Sequence, residues 1–372
     1  IYCLNVEMLQ LIRQLGFQNV FGLEIDRPVQ VGSLKITPHR ALEEEVDCIF
    51  QISSQNLNVL NMVDSWIGYD KVKELSEVKW HLILWPFQTM RELEVLSPSR
   101  FKKASSEIPF EWIEQLQSLK PLNLIPSSCQ FINESWSWYN HAFFPISNQD
   151  FIKQMQHALP TTKIFKLNSG ASISLSENEV IWLQSVDWIK PVGQQDVDYE
   201  YQPHLKVPSV SEIAKKFKAL DLLQKQQVEN FCKYQLFEKL NKLDYQTENY
   251  FSQPNFVWRL NVYGNLEAEV QTYDFKFETN IFSLLPKPAE QAEIFWLTEI
   301  TEFKLWSAVY ESEALTSLYL RINDRKFKPE CEILLKEISS TEDPLIKVLY
   351  DDSFAAYQKK QLKKIRTIGR FF

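Results

Sequence analysis

The strongest constraint on this chain is its run of short apolar segments, each cut off by a turn or a polar cluster before ten residues have passed. Val20–Leu23, Val29–Val31, Leu34–Ile36, Cys48–Ile52, Asn58–Val63, His81–Trp85, Leu122–Ile125 and Lys163–Leu167 all have the length and composition of strands. Helix-period stretches stand among them: Val6, Leu9, Ile12 and Leu15, then Phe110–Leu119 and Asp150–Leu159. Hairpins early and single helices between later strands predict a layered α/β domain rather than a bundle. No apolar stretch approaches the 20 or so residues of a membrane helix.

The pattern changes at residues 190–208, where prolines, Gln and Asp replace periodicity, and this stretch reads as a linker. It separates residues 1–189 from residues 209–372. The second part begins with a Lys/Gln-rich helical region over Ser209–Leu243, with Ser209 or Ser211 as its cap and Glu212 in its first turn. Phe256–Phe277 alternates as a strand pair around a Gly264-Asn265 turn. A mixed region over Ile294–Leu320, a strand at Leu318–Ile322, a turn at Asn323-Asp324 and a basic helix over residues 354–365 complete an α+β reading.

Composition narrows the functions. The 372 residues include only 8 glycines, which disfavours glycine-rich phosphate loops, and no Walker loop or Gly-x-Ser-x-Gly elbow occurs. Net charge is −8, so a general cationic field for nucleic acid is absent and no nucleic-acid partner is expected. Five cysteines, widely spaced and without a CxxC pair, indicate a reducing, cytoplasmic setting. The opening Ile1-Tyr2-Cys3-Leu4 reads like the middle of a domain, so the expectation is that the domain is incomplete at its N-terminus.

Three clusters carry polar chemistry at strand ends. The first is Thr37-Pro38-His39-Arg40. In the second, the strand from Asn58 runs into Asp64, a carboxylate at the sheet rim where α/β folds hold ligands. The third is Pro126-Ser127-Ser128-Cys129-Gln130, followed by Glu134, Trp136, Trp138, Asn140 and His141. With Gln88 and Arg91, which follow the His81–Trp85 strand, Ser128, Cys129 and these five residues are the candidates for a pocket. His81, His157 and His204 read as packing or surface residues.

The order of these parts resembles the second half of a metallo-β-lactamase-fold domain, over roughly residues 1–175. Ile36-Thr37-Pro38-His39 looks like that family's Thr-Pro-Gly-His strand end, with Pro38 in place of the glycine. Asn58 to Asp64 looks like the strand that ends in a metal-bridging aspartate. Leu124-Ile125-Pro126-Ser127-Ser128 stands where the last strand and its histidine would be, with Ser128 at the histidine position. The defining His-x-His-x-Asp-His loop does not occur in the chain. The resemblance implies an αββα-type layered domain. It further implies divalent metal, zinc first, with His39 as a ligand and Asp64 as a bridge. The implied chemistry is a metal-bound hydroxide attacking an ester, amide or phosphoester of a small-molecule substrate. Two ligands do not hold a catalytic zinc, so the isolated chain is expected to be weak or inactive. A metal-free binding or scaffold protein that keeps the fold is the alternative. The second part loosely resembles a sterol-carrier-type α+β module through Trp296–Ile300 and Leu318–Ile322, and both readings leave room for an oligomer.

Overall fold

The computed structural model describes residues 1–4, 6–42, 47–87, 95–97, 104–128, 134–168, 170–189, 196–202, 204–243, 256–266, 269–278, 281–290, 293–311, 313, 318–322 and 343–350. The chain divides into two compact units. One comprises Ile1–Arg91 with Ala104–Leu205, the other Glu92–Lys103 with Lys206–Phe372. Both are mixed α/β.

In the first unit, β1 (Tyr2–Cys3) and β2 (Phe21–Gly22) pair in parallel across α1 (Val6–Gln14). The main sheet has seven strands in chain order: β3 (Val29–Val31), β4 (Leu34–Arg40), β5 (Cys48–Ser54), β6 (Leu57–Asn61), β7 (Leu82–Pro86), β8 (Asn123–Ser127) and β9 (Lys163–Ile164). The first four form an antiparallel meander, turned at Gly32 (φ 60°) and Gln55 (φ 53°). From β6 onward every pair is parallel, which demands crossovers. Helices α2 (Tyr69–Leu75), α3 (Phe110–Leu119) and α5 (Asn148–Ala158) supply them, with a short α4 (Tyr139–Ala142) before α5.

Alternation along the strands decides which face these helices cover. Leu60, Ile83 and Leu124 turn to one side of the sheet. Val72 of α2, Leu116 of α3 and Phe151 of α5 meet them there in one buried core. Each such side chain contributes about 1.5–3 kcal/mol by leaving water. β7 runs through Pro86, where the sequence suggested a stop, because Pro86 pairs with Ser127 and the next amide, Phe87, donates to the Ser127 carbonyl at 2.9 Å. A hairpin, β10 (Ser172–Leu175) with β11 (Val180–Leu183), follows.

Part of the stretch read as a linker belongs to this unit. The Asp198 carboxylate accepts the amides of Asn148 and Gln149 at the start of α5, at 2.7 and 3.0 Å. Tyr199 stacks on Phe144 at 5.7 Å.

The second unit opens with α6 (Val210–Ala214) and α7 (Leu222–Asn230). Both carry capping boxes, Ser209 with Glu212 and Asp221 with Gln224. The helical region is therefore interrupted: α7 passes through a π turn, Phe231–Gln235, into α8 (Leu236–Leu240). A five-stranded sheet follows, ordered β14–β13–β12–β15–β16, with β12 (Phe256–Tyr263), β13 (Val270–Glu278), β14 (Ile281–Leu284), β15 (Trp296–Thr301) and β16 (Arg321–Ile322). β12 and β13 pair from Tyr263↔Val270 outward, so the connection at Gly264-Asn265 is longer than a two-residue turn. After β15 come α9 (Glu302–Trp306) and a π turn at Ser307–Glu311; α10 (Pro344–Tyr350) is the last described element. Asn323-Asp324 and residues 354–365 lie outside the described residues. Among the described residues, no helix is long and apolar enough to cross a membrane.

Candidate functional site

His39 lies inside β4 opposite Ile49, and its side chain is buried. Both ring nitrogens are engaged. Nδ1 lies 2.6 Å from Asp26 Oδ1, and Nε2 lies 3.1 Å from Gln51 Oε1. Beyond Gln51 the polar contacts continue across the sheet. Gln51 Nε2 donates to Ser53 Oγ and Asn58 Oδ1, both at 3.3 Å, and Ser53 donates to Asn58 Oδ1 at 2.8 Å. Asn58 Nδ2 donates to the Lys79 carbonyl at 3.2 Å, and the Asn58 amide donates to His81 Nδ1 at 3.1 Å.

This chain of contacts orients itself. The Lys79 carbonyl can only accept, so Asn58 presents its amide nitrogen there and its oxygen toward Gln51. Gln51 then presents nitrogen to Asn58 and oxygen to His39, and His39 must donate from Nε2. On its other side Nδ1 faces a carboxylate oxygen, which also only accepts. Both ring nitrogens thus face oxygens.

α2 closes the other side of Asp26. The Lys71 ammonium lies 3.3 Å from each Asp26 oxygen and 2.6 Å from Glu74 Oε2. Burial alone would raise the Asp26 carboxyl. The His39 hydrogen bond and the Lys71 ammonium outweigh it and hold the group below its ordinary value of 3.8.

Asp26, His39 and Glu74 bring one potential ligand atom each within 4.8 Å of one another. That spacing would suit a divalent ion. A ligating imidazole turns a lone pair toward the metal; here the two His39 nitrogens face Asp26 and Gln51. Lys71 pairs with both Asp26 and Glu74.

Asp64 is not part of this group. It stands after β6 with φ 69°, at the sheet rim, exposed. Partial burial, then the neighbouring Asp47 charge, raises its carboxyl. Asp47 is itself held by the Cys48 amide at 2.9 Å and by the Ser65 hydroxyl. Ser128 follows β8 on the same rim with φ 60°, and its Oγ is buried without a hydrogen-bond partner among the described residues.

The polar aromatic segment divides. Trp138 and Asn140 are buried, Trp136 is half-buried and Glu134 is exposed. Trp138 meets Tyr139 edge-on at 4.4 Å, and Tyr139 stacks on Phe143 at 4.0 Å. His141 Nδ1 contacts the Glu200 carbonyl at 3.1 Å. These contacts are packing within the unit. Gln88, Arg91 and Cys129 lie outside the described residues.

Sequence reasoning missed Asp26, Gln51, Lys71 and Glu74. The lone signal for α2 was the Val72/Leu75 spacing with Asp70 in the first turn and Lys73 in the last. His81, read as a packing or surface residue, is buried as the far end of the polar chain.

No protein-family description matches this chain, and neither does any curated protein sequence. Among solved structures, the chain is similar to the metallo-β-lactamase fold protein YhfI from Bacillus subtilis, at 13% identity and a TM-score of 0.31, over 45% of this chain and 61% of that one. It is also similar to CmlA, a diiron β-hydroxylase from Streptomyces venezuelae, at 13% identity and a TM-score of 0.30, over 44% of this chain and 36% of that one. The chain thus spans less than two thirds of either structure.

Proposed function

We propose that the first unit is a metal-free binding domain on a metallo-β-lactamase-like layered frame, taking a small polar ligand at the rim that carries Asp64 and Ser128. The observation that carries this reading is the double engagement of His39, whose ring nitrogens meet Asp26 and Gln51 while Lys71 pairs with Asp26 and Glu74. On this reading, the residue that resemblance makes a metal ligand is a member of a hydrogen-bond network. The raised carboxyl of Asp64 beside Asp47 supports a ligand bearing a positive or hydroxyl group. A metal-dependent hydrolase is the second reading. It is favoured by one observation, the two neighbouring carboxylates at the strand ends.

Metal content by mass spectrometry, on wild-type protein and on Asp64→Ala, separates the two. The expected result is no stoichiometric zinc, manganese or iron in either protein, with both folded by circular dichroism. Stoichiometric metal in the wild type that disappears in Asp64→Ala would overturn the binding-domain reading and establish the hydrolase-type centre.

A further inference from the structure

The hairpin of β10 and β11 carries a strand that does not alternate. A strand with one face in water reads apolar and polar in turn, and β10 does so through Ser172 and Ser174. β11 is Val180-Ile181-Trp182-Leu183, four apolar residues without a charge. Register sorts them between the two faces. Val180 and Trp182 stand opposite Leu175 and Ile173, while Ile181 and Leu183 stand opposite Ser174 and Ser172. The first pair turns toward the rest of the unit: Val180 is buried, and the Trp182 ring meets Phe165 edge-on at 5.8 Å. Ile181 and Leu183 lie on the other face, 48% and 52% exposed. Trp182 is still 53% exposed despite its contact, and Trp188, five residues beyond the strand, is 82% exposed.

The hairpin is fixed in place. The Ser176 amide donates to the Glu179 carbonyl at 2.9 Å, and the Ser176 hydroxyl accepts the Glu179 amide at 3.1 Å, which closes the turn. Asn56 Nδ2 donates to Glu177 Oε1 at 2.9 Å and ties the turn to the β5–β6 connection. The sheet has two strands, so among the described residues one backbone edge of β11 has no ladder partner. An open, apolar, uncharged edge is a template for a further strand. Its own copy matches it: antiparallel pairing under a two-fold axis sets apolar against apolar, and the strand holds no charge to oppose it. A lipid surface fits poorly, because Glu177 and Glu179 form the hairpin tip and Asp187 stands between Val186 and Trp188. Exposed as they are, Ile181, Trp182, Leu183, Val186 and Trp188 leave on the order of 500 Å² per copy, at the upper end of a monomer's patches. Two copies together would cover about 1,000 Å², where specific interfaces begin.

We propose that β11 is the contact of a two-fold dimer of this chain. The two β11 strands pair antiparallel, edge to edge, and join the hairpins into one four-stranded sheet. Ile181 and Leu183 of both copies then share one face of that sheet, out of water. The small area sets the affinity in the micromolar range.

Sedimentation equilibrium of the full chain, from about 1 to 100 μM, reads the association. The mass is expected to rise from 43.9 kDa toward twice that value. Hydrogen exchange at the two ends of this range is expected to show amides of residues 180–183 gaining protection at the higher concentration. Leu183→Lys is expected to weaken the dimer at least about tenfold, since it brings two ammonium groups into one junction. Leu222→Lys, at an exposed apolar residue of α7, is expected to leave it unchanged. A chain that stays at 43.9 kDa throughout overturns the proposal, whether or not it sediments with phosphatidylcholine vesicles. So does a dimer that leaves exchange at residues 180–183 unaltered, that survives Leu183→Lys, or that Leu222→Lys weakens as much. Should Leu183→Lys fail to fold by circular dichroism, Trp188→Lys, at the most exposed of these side chains, must show the loss, and a dimer retained there overturns the proposal.

Discussion

At the scale of single residues, His81 is the most constrained side chain of the first unit. Its Nδ1 accepts the Asn58 amide, so its proton sits on Nε2, which is buried without a partner among the described residues. A second proton would break the Asn58 contact. Burial, and then the Lys79 charge, hold the imidazole below its ordinary value of 6.5, while Glu177 pulls weakly the other way. The unfolded chain therefore binds a proton at a higher pH than the folded chain does. The stability that neutral His81 contributes is complete above about 6.5 and is lost as pH falls through the lowered folded value. His81→Asn, whose side-chain oxygen can still accept from Asn58, is expected to flatten this part of the profile. Urea midpoints measured from pH 8 to pH 4.5 check it; equal slopes for the two proteins would remove His81 as the cause.

At the scale of elements, α5 shows how a distant segment can complete a helix. Ser147 accepts the Asp150 amide at 3.0 Å, and Asp198 takes the amides of Asn148 and Gln149. Four unpaired amides open any helix, and here three of the first-turn donors have side-chain acceptors. Asp198→Ala is expected to cost about 1–2 kcal/mol, since it removes a charged acceptor from a helix start. The urea midpoint should fall with an unchanged m-value. Elements of this kind also mark what was legible in the sequence. Phe110–Leu119 and the β8 strand follow from periodicity because their partners lie in a continuous apolar core. α2 did not, because seven residues give only two turns and two buried positions, Val72 and Leu75. Asp26 and Lys71 read in sequence as ordinary charges, and only the meander and α2 bring Asp26 to His39 and Lys71 to Asp26. The rim position of Asp64 was legible from the strand that leads into it; the Gln51–Asn58 chain was not, since cross-strand register decides it.

At the scale of the whole molecule, the units are not two consecutive pieces of chain. Residues Glu92–Lys103 group with the second unit although residues on either side belong to the first. Cutting the chain at the proline-rich stretch near residue 195 therefore separates Asp196 and Asp198 from the lysine and helix they serve. A protein of residues 1–205 with a flexible Gly/Ser linker in place of residues 92–103 is expected to unfold in one cooperative urea transition. The same protein ended at residue 189 is expected to lose at least about 1 kcal/mol, the worth of the missing helix cap alone. Equal midpoints for the two would show that residues 196–205 contribute nothing to the first unit.

The closed polar chain at His39 also shapes where this sequence can go by mutation. Freeing one imidazole nitrogen for another use means replacing Gln51 or Asp26. Replacing Gln51 alone takes one donor from Asn58, and replacing Asp26 alone leaves Lys71 with Glu74. Each single step removes one bond from a neighbour as well, and a lost hydrogen bond costs about 0.5–1.5 kcal/mol. A chain with an ordinary margin of about 5–15 kcal/mol tolerates one such step but not several in sequence without compensation. Laboratory evolution toward a new role at position 39 would thus meet a fitness valley, crossed only by coupled changes in β4, β5 and α2. The same hydrogen bonds that hold four neighbouring strands in register act as an evolutionary ratchet.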